Sequence, residues 1–149
     1  MRRQITARDL GLDMAPGDER ALFCWFLASF LFGHRIAQAS AAATWRLMVH
    51  GHGLDSAGRL HGCSHARLVR LLGEGGYRRY DISTATRLRQ LCAVLCERYG
   101  GHILGVVAAA GDRADFERRL LEFNGVGPVT LAIFMREAGA VLFDDAGGA

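Results

Sequence analysis

Leu120-Leu121-Glu122-Phe123-Asn124-Gly125-Val126-Gly127-Pro128-Val129-Thr130-Leu131-Ala132 is the stretch on which the reading of this chain turns. An apolar helical pattern closes at Phe123, and Gly125-Val126-Gly127 reverses the chain. Pro128 then opens a second helix at its first position, where a missing N–H costs nothing. The pattern predicts a helical hairpin. Glycines at both ends of the turn reach backbone conformations closed to other residues and leave room for another backbone to approach. The amides of the turn and the N-terminus of the following helix then face outward together, an arrangement suited to a phosphate. Thr130, in that first turn, is expected to add a hydroxyl, and Val126 to point inward as an apolar plug between the helices. Gly-x-Gly before a helix also occurs as an ordinary tight turn, so the rest of the chain has to decide between the two.

Working outward, the pattern is helical with no convincing strand. Asp112 opens the hairpin's first helix, with Phe116, Leu120, Leu121 and Phe123 on its buried side and Arg113, Arg118 and Arg119 mostly outside. After the turn Pro16-Gly17-Asp18, the segment Glu19–Phe32 is apolar nearly all round, as a central buried helix must be. Gly33 stops it, and an Ala-rich helix is expected over 37–49, followed by a loop of Gly and His. Ser64 caps a helix carrying Leu68, Leu71 and Leu72 that Gly73 ends. Beyond the turn Gly75-Gly76-Tyr77, Ser83 is expected to cap a long helix with Leu88, Leu91, Cys92, Leu95 and Tyr99 on its apolar face, closed by Gly100-Gly101. A short helix is expected over 103–110. The fold class is all-α, with a partly ordered segment over 1–20 and one helical domain over 21–149.

At 149 residues the chain suits one domain able to bury roughly 70% of its unfolded surface. The longest apolar run, 21–32, is well short of the ~20 residues that cross a bilayer. No signal-peptide pattern follows Arg2 and Arg3, so cytoplasm and no membrane partner are the expectation. Eighteen basic residues against fifteen acidic give a net charge of +3, which permits a polyanionic partner without demanding one. All eighteen are Arg. Arginine grips phosphate with a planar fork, yet it cannot act as an amine nucleophile, so no lysine Schiff base can form. Cys24, Cys63, Cys92 and Cys96 are too scattered for a disulfide scaffold. Cys92 and Cys96 are one helical turn apart, a spacing open to a shared metal or to two core thiols, and core thiols are the expectation. His50, His52, His61, Cys63 and His65 offer zinc-ligand types, but their spacing with interleaved glycines reads as a polar loop, so no metal is expected.

Together these features resemble the endonuclease III-like DNA glycosylases of the helix-hairpin-helix (HhH-GPD) superfamily. The similarity spans residues 21–145. It rests on the buried helix ending in Phe-Leu-Ala-Ser-Phe-Leu-Phe-Gly-His-Arg, the Gly-Gly-Tyr turn, and the hairpin followed by Phe134-Met135-Arg136-Glu137. The resemblance implies an orthogonal helical bundle and base-excision repair. A monomer would hold duplex DNA by its backbone, flip a damaged or mismatched base, and hydrolyse its N-glycosidic bond. Flipping costs least for a weakly paired base. The catalytic carboxylate would be Asp145, or its neighbour Asp144, stabilising an oxocarbenium-like sugar and positioning water. DNA-binding residues would be Gly125, Val126, Gly127, Val129 and Thr130, with His34 and Arg35 filling the gap left by the flipped base. Relatives that also nick the strand carry Lys where Val129 stands, so the enzyme would be monofunctional. The four-cysteine iron-sulfur loop of many relatives is absent, so no cluster is expected, whereas a monovalent cation at the hairpin fits the pattern.

The residues leave other readings open. Asp144 and Asp145 also fit a solvated tail, and His34 and Arg35 also fit a helix C-cap. Relatives continue into further helix where this chain ends at Ala149, so truncation or degeneracy enters the expectation. A non-catalytic helix-hairpin-helix module that binds DNA is therefore the alternative to an enzyme, and a hairpin serving a protein partner is the third. Which base is removed is not legible.

Overall fold

Asp18 accepts the Ala21 N–H at 3.0 Å and starts α1 (Glu19–Phe32), a helix with twelve buried residues among its fourteen. Charged side chains occur only in its first turn, and every later position is apolar or small, so no face needs water. The rest of the protein is arranged around it. The computed structural model describes residues 4–34 and 36–143, and among them there are helices and no strand.

The helices follow in chain order. They are α2 (Gln38–Arg46), α3 (Ala57–His61), α4 (His65–Gly75), α5 (Asp81–Tyr99), α6 (Ile103–Ala109), α7 (Arg113–Leu121) and α8 (Pro128–Phe143). α1 packs against α2 on one side and α8 on the other, and also meets α6. α5 receives α3 and α4, α4 also lies on α2, and α7 pairs with α8. Burying large side chains such as Phe26, Phe30, Leu22 and Leu27 stabilises the fold by about 1.5–3 kcal/mol each.

Polar groups carried into this core find acceptors on the backbone. Trp45 Nε1–H donates to Cys24 O at 2.8 Å, Trp25 Nε1–H to Phe134 O at 3.2 Å, and Tyr77 O–H to Leu31 O at 2.8 Å. Those three bonds tie α2, α8 and the turn before α5 to α1 at fixed heights. α6 is held from afar. Its own N-cap residue, His102, makes no side-chain cap bond, and the Glu19 carboxylate of α1 accepts the N–H groups of Ile103 and Leu104 at 2.7 and 2.9 Å instead. The segment before α1 joins the core as well, through Ala7, Leu10 and Leu12, and the Ala7 N–H donates to Glu137 of α8 at 3.0 Å.

Several sequence expectations need correction. α5 starts at Asp81 rather than at a Ser83 cap, and the Ser83 hydroxyl donates to Tyr80 O within the first turn. α4 runs through Gly73 to Gly75, since the turn that stops it is made by Gly76 at φ 120°. The loop of Gly and His contains a π-helical turn, Leu47–Gly51, and α3, which is capped by Ser56. Leu121 is 42% exposed rather than buried: Phe116, Leu120 and Phe123 take the inner face of the hairpin's first arm, leaving Leu121 rotated outward.

All four cysteines are free, with Cys24, Cys63 and Cys92 buried and Cys96 partly so. Burial pushes the Cys24 thiol up to about 12, as expected of an inert core thiol. Among the described residues no three His, Cys, Asp or Glu side chains group as metal ligands. The histidines of the 50–65 stretch make separate contacts. His50 sits edge-on to Trp45, His52 accepts from Arg67 at 3.0 Å, and His65 pairs with Thr86 at 3.0 Å. Among the described residues no single helix is long and apolar enough to cross a membrane.

Candidate nucleic-acid interface

The turn between α7 and α8 is built from both ends. Asp112 caps α7 by accepting the Asp115 N–H at 2.8 Å, and α7 closes with the Phe123 N–H on Leu120 O at 3.2 Å. The Val126 N–H then returns to Phe123 O at 3.1 Å, and Leu131 N–H donates to Gly127 O at 3.0 Å as α8 begins. Val126 is buried, as the plug reading requires. One amide expected to face outward, that of Val126, is thus used within the turn. The amides of Gly125 and Gly127 have no acceptor among the described residues.

The two glycines have different physical duties. Gly125 has φ +85°, and a Cβ there would lie 2.6 Å from Phe30 Cε2, so both conformation and space exclude other residues. A Cβ on Gly127 would meet nothing within 4 Å. One glycine seats the turn on α1, and the other leaves an open approach from outside. Asn124 Nδ2 donates to Gln90 Oε1, which fastens the turn to α5 as well.

Thr130 departs from expectation. It is buried, and a Cβ on Gly33 would sit 2.0 Å from its Oγ1, so Thr130 occupies the space that Gly33 leaves at the end of α1. Its role is to let α8 lie close against α1, and its buried hydroxyl does not join the unbonded amides of the turn. Val129, one residue earlier, is 60% exposed on the turn's outer side. The carbonyls of Phe123 and Gly127 each accept one N–H, from Val126 and Leu131.

His34 is half-buried beside this turn. Its Nδ1 lies 2.6 Å from Phe30 O, which can only accept, so Nδ1 carries the proton. Its ring lies on that of Phe30 at 4.8 Å, the ring that also seats Gly125. Burial, and secondarily the Arg87 charge, hold the imidazole below its ordinary value of 6.5, while the bond to Phe30 works the other way. His34 is therefore both a cap on α1 and a wall of the adjacent cavity. That cavity has a volume of about 240 Å³ and is lined by His34, Ile36, Tyr77, Tyr80, Ser83, Thr84 and Arg87. A larger hollow, about 650 Å³, lies between the N-terminal segment and the far part of α8, around Glu137 and Val141. It is remote from the turn, since Glu137 stands nine helical steps beyond Pro128, or about 14 Å.

The structure therefore gathers Gly125, Val126, Gly127, Val129 and His34 at one place, with Thr130 behind them. Arg35, Asp144 and Asp145 lie outside the described residues. Missed by sequence reasoning were Tyr80, Ser83 and Arg87, which line the cavity from α5 and its preceding turn. Their spacing of three and four residues places them on one helical face, and Tyr80 and Ile82 remain 49% and 63% exposed. Large exposed apolar side chains beside arginine in a turn were the available signal. No protein-family model matches the sequence, and no curated protein matches it.

Proposed function

We propose that the chain is a helix-hairpin-helix DNA-binding protein of the endonuclease III-like glycosylase type, working as a monomer on duplex DNA. The observation that carries this reading is the α7–α8 turn. It offers two backbone amides without an acceptor among the described residues, open space over Gly127, and an aromatic-lined cavity one side chain away. Amides at a helix start bind phosphate oxygens without regard to base, which positions a duplex and leaves discrimination to the cavity. Tyr80 and His34 give that cavity aromatic rings on which an extruded base can stack.

In the enzymatic form of the reading, Asp145, or Asp144, stabilises the oxocarbenium-like sugar as the N-glycosidic bond breaks and water attacks its anomeric carbon. Water supplies the new bond to the sugar, and the base leaves with a proton. The strand stays intact, because the chain has no lysine and Val129 stands at the lyase position. One observation favours binding without catalysis: among the described residues no carboxylate lines the cavity. The two forms part in a single experiment. The protein is incubated with duplexes carrying oxidised pyrimidines, mismatched adenine, thymine or uracil, or alkylated purines, and hot alkali then reveals abasic sites. The enzymatic form predicts cleavage only after alkali, lost in Asp145→Asn. Binding with no alkali-sensitive product across the panel would leave the non-catalytic form.

A further inference from the structure

The cavity and the α7–α8 turn share one side chain. Arg87 lines the cavity, and its Cβ lies 3.5 Å from where a Cβ on Gly125 would be. It belongs to the second turn of α5, a rigid element fixed to the hairpin by the Gln90–Asn124 hydrogen bond. Arg87 is exposed, and its guanidinium has no hydrogen-bond or ion-pair partner among the described residues. In this it differs from several arginines elsewhere. Arg20 and Arg59 are paired with Asp55, and Arg118 and Arg119 with Asp115.

Among the described residues lining the cavity, the groups that carry or can take up charge are Arg87, His34 and the two tyrosines. Burial, and secondarily the arginine beside it, disfavour the charged form of His34. Arg87 is thus the cation at the cavity mouth, and no acid faces it from that lining.

Resting on the DNA-binding reading above, we infer that Arg87 is a second backbone contact of the same interface. It holds the phosphate next to the one at the hairpin, on the side where the nucleotide turns toward the cavity. A guanidinium suits this position because its fork can take two oxygens of one phosphate while its stem lies along the helix. The arrangement links the grip on the strand to the entry of a base. It makes Arg87 a positioning residue that touches the substrate's backbone and none of its base edges.

The test is the salt dependence of binding to a fluorescein-labelled duplex, read by anisotropy. Each phosphate neutralised contributes a slope of about −0.9 in log K against log salt. Arg87→Ala should shallow that slope by about one contact. Arg87→Lys should restore the slope while recovering only part of the affinity, since charge returns without the fork. Arg59→Ala removes an equal charge at a site away from the hairpin and should leave the slope as it was. Alanine keeps the Cβ near Gly125 and favours helix, so the fold is preserved, and a circular dichroism melt verifies it. If wild type binds with a steep slope and Gly127→Asp weakens it, yet Arg87→Ala leaves the slope untouched, the Arg87 assignment is overturned and the hairpin reading stands. If wild type does not bind duplex at all, both are overturned.

Discussion

Replacing Gly127 by Asp separates an interface role from a folding role more cleanly than any other substitution in the hairpin. The backbone at Gly127 is not left-handed, and a Cβ there meets nothing within 4 Å. The fold should therefore tolerate the change within about 0.5 kcal/mol, which moves Tm by no more than about 2 °C in a chain of this size. Binding is another matter. A carboxylate about 4 Å from a bound phosphate costs about 1 kcal/mol in bulk water and about 4 kcal/mol at an effective dielectric of 20. Affinity for duplex should accordingly fall by at least about fivefold, equally for unrelated sequences, because backbone contacts carry no sequence information. Gly125→Ala is the counterpart. Its φ of +85° costs roughly 1–2 kcal/mol for a side chain, and the 2.6 Å approach to Phe30 adds roughly 1–3 kcal/mol. That variant should lose at least about 4 °C of Tm. Anisotropy titration and thermal melts on the two variants check the pair. A folded Gly127→Asp protein that binds duplex as wild type does would refute the idea that this turn faces a phosphate.

Glu19→Ala removes the acceptor for the Ile103 and Leu104 amides and should destabilise the fold by about 0.5–2 kcal/mol, measured by urea denaturation, with no effect on binding by the folded fraction. His34 gives a pH signature. Its folded-state value lies below the ordinary 6.5, so its contribution is complete above that pH. As pH falls below 6.5 the unfolded chain takes up the proton first, and stability is lost until the folded-state value is passed. His34→Gln should flatten that limb relative to wild type, and identical pH dependence in the two would contradict the assignment.

Much of the architecture is legible in the residues. α1 is bounded where its all-round apolar character begins and ends, between Asp18 and Gly33, because a helix without a polar face has one place to go. Ser64 and Asp112 announce α4 and α7 by local chemistry that needs no tertiary context. What escaped detection depends on neighbours distant in sequence. Thr130 reads as a hydroxyl at a helix start until α8 is laid against Gly33, which turns it inward. Nothing local tells that Glu19 caps α6, eighty-four residues on. Leu121 looks like core in a run of apolar residues, and only the packing of Phe116 and Leu120 leaves it outside. At the candidate interface, Gly125, Val126 and Gly127 were legible because a tight turn constrains its own residues. Arg87 was not, since its meaning arises from the Gln90–Asn124 contact that brings α5 to the hairpin.

The most direct measurement is the affinity of the intact chain for two duplexes of unrelated sequence, followed from about 50 to 200 mM salt. Contact between the α7–α8 turn and the phosphate backbone predicts log K falling linearly with log salt, with the same steep slope for both duplexes. Binding to neither duplex, or an affinity indifferent to salt, would contradict it.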